Sequence, residues 1–178
     1  MNKFIFTETK IKGLIVISPA VREDSRGYFF ESYNKSEFVS AGITAEFVQD
    51  NESRSERGVL RGMHFQKKFP QAKLVRALRG EVYDVAVDMR EGSGTYGMWE
   101  GIYLSGENKK MVFVPKGFAH GFLVVSNSAV FSYKCDDHYH PEDEGGFIYN
   151  DPGVGIIWPD LAGGYALSEK DSKLSRFD

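Results

Sequence analysis

Apolar residues in this chain come in short runs rich in Ile, Val, Phe and Tyr, with Gly, Pro, Asn, Asp and Ser between them. Runs too brief for a helix and bounded by turn formers predict strands. They cover 4–7, 14–18, 28–33, 59–65, 72–79, 81–88, 98–104, 111–114, 121–125, 130–135, 147–149 and 155–158. Within several of them polar and apolar positions alternate, which sends successive side chains to opposite faces. Leu74, Arg76 and Leu78 oppose Val75 and Ala77, while Val82, Asp84, Ala86 and Asp88 oppose Tyr83, Val85 and Val87. Two strands joined as a hairpin across Arg79-Gly80-Glu81 are the natural reading of 72–88. Only two places look helical. Residues 34–42 have a cap in Asn34, a short amphipathic run and a terminating Gly42; residues 168–171 read as a turn capped by Ser168 with Asp171 three positions on.

Pro115-Lys116-Gly117 and Asp151-Pro152-Gly153 read as turns, because proline fixes φ and glycine admits positive φ. No repeat, low-complexity tract or linker divides the chain, so one domain is expected over 1–178. Many short strands with 19 glycines predict an all-β protein, with a jelly roll of two antiparallel sheets and a few short helices as first choice. Composition agrees: 178 residues with 42% hydrophobic and 14% aromatic content fill one core and leave little for a second.

A net charge of −3 and the absence of a basic run argue against general nucleic-acid binding, while scattered arginines leave a small phosphorylated ligand open. The first ten residues lack the apolar core of a secretory signal, and the aliphatic runs at 14–17 and 122–125 are too short to cross a bilayer. A soluble, cytoplasmic protein without membrane contact is expected. Cys135 is the only cysteine, which rules out an intrachain disulfide and thiolate metal clusters and suits a small buried strand residue.

Chemistry concentrates around His64. In an extended strand Leu60, Gly62, His64 and Gln66 share one face and Arg61, Met63 and Phe65 the other, so one side mixes small and polar groups, as a cavity lining does. A second histidine, His120, follows a Pro-x-Gly turn at 115–117. That segment resembles the second motif of the cupin superfamily, whose fold is a small jelly-roll barrel. The first cupin motif is matched by Gly58 and His64, but Gln66 stands where a second histidine ligand would be and Lys73 stands at or near the glutamate position. An ammonium offers only donors and repels a divalent cation, so neither metal nor other cofactor is expected. His64, Lys73 and His120 then make a set suited to proton transfer and oxyanion stabilisation.

Taken in order, DSRGYFFESYN, FVQDN, GVLRGMHFQ, QAKLVRALRGEVYDVAVDMR, FVPKGFAHGFLV, FSYKC and LSEKD closely resemble the dTDP-4-dehydrorhamnose 3,5-epimerase family, from residue 24 to residue 171. The resemblance implies a cupin jelly roll working without metal, as a homodimer that exchanges N-terminal strands. It implies His64 as proton acceptor paired with Asp171, and Tyr133 as proton donor. Substrate contacts implied are Arg26, Glu31, Gln49, Asp50, Asn51, Arg61, Lys73, His120, Glu144 and Lys170, with Asp84 in the inner polar network.

The chemistry accounts for these types. A 4-keto sugar has acidic C–H bonds at C3 and C5, and removing either proton leaves an enolate with its charge on the C4 oxygen. A neutral imidazole takes the proton, with its tautomer set by Asp171; Lys73 holds the enolate oxygen; Tyr133 returns a proton to the opposite face. Arg26 and Arg61 are the expected diphosphate clamps, and Phe29 or Tyr139 would stack on the thymine ring. Tyr133 and Tyr139 share a face if their strand stays extended. The chain departs from the family pattern at 136–139 and at Ala72, neither of which removes a group the chemistry needs. The expected reaction is epimerisation of dTDP-4-dehydro-6-deoxy-D-glucose at C3 and C5. Its rivals are a C3-only epimerase, a metal-dependent cupin and a non-catalytic sugar-binding jelly roll.

Overall fold

Period-two burial dominates the computed structural model, which describes residues 2–177. The strands are β1 (Phe4–Glu8), β2 (Ile15–Pro19), β3 (Arg22–Asp24), β4 (Gly27–Phe29), β5 (Gln49–Glu56), β6 (Leu60–Gln66), β7 (Lys73–Arg79), β8 (Glu81–Asp88), β9 (Trp99–Ser105), β10 (Met111–Val114), β11 (Phe118–Val124), β12 (Ser128–Cys135) and β13 (Glu144–Gly146). One helix, α1 (Lys35–Ser40), and single 3-10 turns at Pro141–Asp143 and Asp171–Lys173 complete the regular structure. No helix among the described residues is long and apolar enough to cross a membrane.

All strand pairs are antiparallel. One sheet has the order β1-β2-β10-β7-β12-β5 and the facing sheet β13-β6-β11-β8-β9, with β3 and β4 forming a separate ribbon. This is the expected cupin-type jelly roll. Val75, Ala77, Val112, Val114, Ala129 and Phe131 of the first sheet pack on Val82, Ala86, Phe118, Phe122 and Val124 of the second. Each fully buried side chain of the larger kinds contributes about 1.5–3 kcal/mol. The same inward faces carry Lys73 beyond Val75 on β7, Tyr133 beyond Phe131 on β12 and His120 beyond Phe122 on β11, so the apolar core gives way to a polar cavity.

Helix α1 starts at Asn34, whose side chain accepts from Glu37 N, and buries Phe38 against Phe4, Phe6 and Tyr33 on the outside of the first sheet. Its termination by glycine also follows expectation, with Gly42 at φ +87°.

Several strand expectations are corrected. Residues 79–81 do not close a hairpin: β7 pairs with β10 and β12, β8 with β11 and β9, and Gly80 carries the chain from one sheet to the other. Strand 28–33 stops at Phe29, because Phe30 turns onto the Arg76 guanidinium and Tyr33 packs on Phe38 and Phe47. Residues 147–149 and 155–158 form no strand; Phe147, Ile156 and Trp158 are apolar because they cover Met63, Tyr83 and Val85 on the outside of the second sheet. Strands β3, β5 and β13 lie outside the expected runs.

Gly80 and Gly42 both occupy the left-handed region, at φ +69° and +87°, but only Gly80 is crowded: a Cβ there would lie 2.0 Å from Ser128 O, whereas none of the structure lies within 4 Å at Gly42. Gly80→Ala is expected to lower unfolding free energy by at least about 1–3 kcal/mol and Gly42→Ala by about 1 kcal/mol. Urea melts of the two variants check the difference; equal losses would contradict it.

Candidate active site

A polar cavity opens between the sheets as two adjoining lobes of about 330 and 480 Å³ that share His64, Lys73, His120 and Tyr133. His64 and His120 sit opposite each other on β6 and β11, on the wall formed by the second sheet. Lys73 and Tyr133 sit on β7 and β12, on the first sheet. The base-type and acid-type groups therefore come from opposing walls.

His64 Nε2 lies 2.7 Å from Asp171 Oδ1. Asp171 is 4% exposed and opens the short turn Asp171–Lys173; its backbone N donates to Ser168 Oγ at 3.0 Å, the expected cap. With Nε2–H donating to the carboxylate, the lone pair of a neutral ring resides on Nδ1, whose nearest carboxylate is Glu144 at 4.0 Å. His120 repeats the pattern, with Nε2 2.8 Å from Oδ2 of buried Asp84.

The Lys73 ammonium makes no hydrogen bond or ion pair with another described residue, and its Nζ stands 5.9 Å from the centroid of the Tyr133 ring. Burial pushes its pKa below the ordinary lysine value, partly offset by Cys135, Asp84 and Glu144. An ammonium held this way gains most from an anion delivered beside it. Burial pushes the Tyr133 phenol up, as does Cys135 nearby, so it stays a proton donor to higher pH. Burial would raise Glu144, but the hydrogen bonds from Lys170, at 2.5 Å, and from Tyr139 outweigh it and leave the carboxyl below its usual value. The same bond to Glu144 pushes Tyr139 up to about 12.

Gln49, Asn51, Tyr139 and Glu144 line the first lobe, and Arg61, Lys170 and Asp171 the second. Arg26, Phe29, Glu31 and Asp50 are placed elsewhere. Arg26 is bound to Asp24 on the exposed β3–β4 ribbon, Phe29 is 69% exposed there, Glu31 pairs with Lys3 and Asn34, and Asp50 faces out to Lys134.

The face assignment on β6 is corrected too. Leu60 packs outward with Leu123 and Leu161, yet Arg61 and His64, three apart, both line the second lobe. A register shift against β11 and Gly62 at φ +120° change the phase of the strand between them, and a lone glycine inside a strand pattern was the available signal. Tyr139 also reaches the cavity by another route, since β12 ends at Cys135 and the chain bends before it; His138 is exposed, and Cys135 is buried as anticipated.

Sequence reasoning missed Ser55, whose Oγ accepts from Arg61 Nε and Nη2 at 3.2 and 3.1 Å and aims the guanidinium. Among the described residues no group of three or more His, Cys, Asp or Glu side chains is arranged to hold a metal ion.

Fold and cavity together define a cupin-type jelly roll furnished with acid–base groups. The family model described as dTDP-4-dehydrorhamnose 3,5-epimerase matches residues 8–178, and the chain belongs to that family. The dTDP-4-dehydrorhamnose 3,5-epimerase of Methanothermobacter thermautotrophicus is 51% identical over 172 residues, 96% of this chain and 93% of the relative. That of Pseudomonas aeruginosa is 52% identical over 172 residues, 96% of this chain and 94% of the relative. The crystal structure of the dTDP-6-deoxy-D-glucose-3,5-epimerase of Legionella pneumophila in complex with dTDP-4-keto-L-rhamnose is 50% identical, covering 97% of this chain and 92% of that one, at a TM-score of 0.94.

Proposed function

We propose that this chain converts dTDP-4-dehydro-6-deoxy-D-glucose to dTDP-4-dehydro-L-rhamnose by inverting C3 and C5. The observation that carries the mechanism is the placement of His64 and Tyr133 on opposite walls of one cavity with Lys73 beside Tyr133. Inversion needs a proton removed from one face and returned to the other. His64 Nδ1 takes the proton, and Asp171 stabilises the imidazolium through Nε2–H. Lys73 faces the enolate oxygen in a site shielded from bulk water, where a fixed charge acts most strongly. Tyr133 supplies the proton to the opposite face.

Arg61, oriented by Ser55, and Lys170 meet the diphosphate, and Tyr139, an exposed ring at the first lobe, stacks on the base. Gln49, Asn51, His120 and Glu144 contact the remaining hydroxyls. A cytoplasmic homodimer belongs to the same reading. Its support is the exposed ribbon bearing Arg26, Tyr28 and Phe29, which has no role in its own chain's cavity, together with the edge strand β1 that exposes Ile5. Light scattering that gave a monomer mass would end the dimer part.

Proton NMR of the purified chain with dTDP-4-dehydro-6-deoxy-D-glucose tests the reaction. Couplings of the L-rhamno product are expected, and a product inverted at C3 alone would favour the narrower epimerase.

A further inference from the structure

Gln66 takes no part in the steps above, yet it borders the first lobe, is buried at 8% exposure and has both ends of its carboxamide committed to backbone groups rather than to the cavity. Nε2 donates to Phe69 O at 2.6 Å, on the loop between β6 and β7. Oε1 accepts from His140 N at 3.0 Å, on the loop between β12 and β13. The Gln66 backbone meanwhile pairs directly with Glu144 across β6 and β13. One residue therefore pins the segment 140–144 at both of its ends.

That segment carries cavity groups. Glu144 is its last residue, Tyr139 immediately precedes it, Tyr139 Oη donates to the Glu144 carboxylate, and both line the first lobe. Gln49 Oε1 accepts from Tyr139 N at 3.2 Å, so two glutamines hold successive backbone amides. The loops meet twice more: Asp143 Oδ2 accepts from Lys68 N and Phe69 N, both at 2.8 Å, and the rings of Phe69 and His140 stack with centroids 4.2 Å apart. At position 66 one atom must donate to a carbonyl while its neighbour accepts from an amide. A carboxamide does both; an ionised carboxylate or a thioether does not.

We infer that Gln66 is a positioning residue for the sugar nucleotide, acting through Tyr139 and Glu144. The inference rests on the epimerase reading. Steady-state kinetics of Gln66→Met and Gln66→Glu with dTDP-4-dehydro-6-deoxy-D-glucose test it, each compared with the wild type at the same pH. KM is expected to rise about tenfold in Gln66→Met at every pH, with kcat changing less than about threefold. Gln66→Glu should match it at pH 8, where the carboxylate accepts from His140 but cannot donate to Phe69. Its KM ratio should fall back as the pH approaches about 5 and a protonated carboxyl restores the donor.

A purely structural role would lower the active fraction without that pH-dependent return. Should Gln66→Met fail to fold, the pH course of Gln66→Glu decides. KM ratios within about twofold of unity, or a Gln66→Glu ratio that does not change with pH, would overturn the inference while leaving the epimerase reading intact. A wild type that does not turn over the sugar nucleotide would overturn both.

Discussion

Replacing His64 by Asn is expected to lower kcat by about 10²–10⁴-fold, the usual contribution of a positioned general base. The side chains are similar in size, so the pocket should persist and KM should change little. His64 is held from one side only, by Asp171 at Nε2, which leaves Nδ1 turned toward the cavity. Asparagine can keep a hydrogen bond to Asp171 but offers no lone pair of comparable basicity. Asp171→Asn should fall in the same range, because an amide lets the ring settle in the wrong tautomer and does not stabilise the imidazolium. Since the two act as one unit, the double variant should be scarcely slower than His64→Asn alone. Rapid-quench or NMR rates on all three check this, and additive losses would contradict the pairing.

Lys73→Met is the second large effect, with kcat expected to fall by about 10²–10³-fold, as for loss of one preorganised oxyanion donor. Binding of the keto sugar itself should suffer less, because the oxygen carries full charge only after proton removal. The pH profile gives an independent readout. In the proposed mechanism Lys73 acts as ammonium, and burial pushes its pKa below the ordinary lysine value, so activity is expected to be complete below that folded-state pKa and lost as the pH rises through it. The alkaline limb should therefore lie below the normal lysine range. Lys73→Arg keeps its charge over the whole range and should move the limb upward even where its maximal rate is reduced. An unmoved limb would assign it to another group.

How far these expectations were available beforehand differs along the chain. The jelly roll followed from short alternating runs, and His64, Lys73, His120, Tyr133 and Asp171 followed from a resemblance whose motifs span 24–171. Strand β5 was invisible to hydropathy for a physical reason. Gln49, Asn51, Ser53 and Ser55 point inward and Asp50, Glu52, Arg54 and Glu56 outward, so its period of two is written entirely in polar residues facing a polar cavity. The opposite error befell 155–158, an apolar run that is a covering loop. Apolar content reports burial, and burial reports a strand only when the backbone also finds a partner. Gln66 was legible as a missing metal ligand, but its bonds to residues 69 and 140 depend on two loops that no local pattern brings together.

Gln66 and Lys73, which the resemblance sets at or near two of the cupin ligand positions, are here an amide committed to backbone groups and an ammonium lining the cavity. In the proposed mechanism the acid–base work falls to His64, to Tyr133 on the facing sheet and to Asp171.

Turnover of dTDP-4-dehydro-6-deoxy-D-glucose in heavy water, followed by NMR of the sugar ring with the wild type and His64→Asn side by side, tests that assignment most directly. Deuterium is expected at both C3 and C5 with the wild type and almost none at either carbon with the variant over the same interval. Deuterium confined to C3 with the wild type, or wild-type incorporation by His64→Asn, would contradict it.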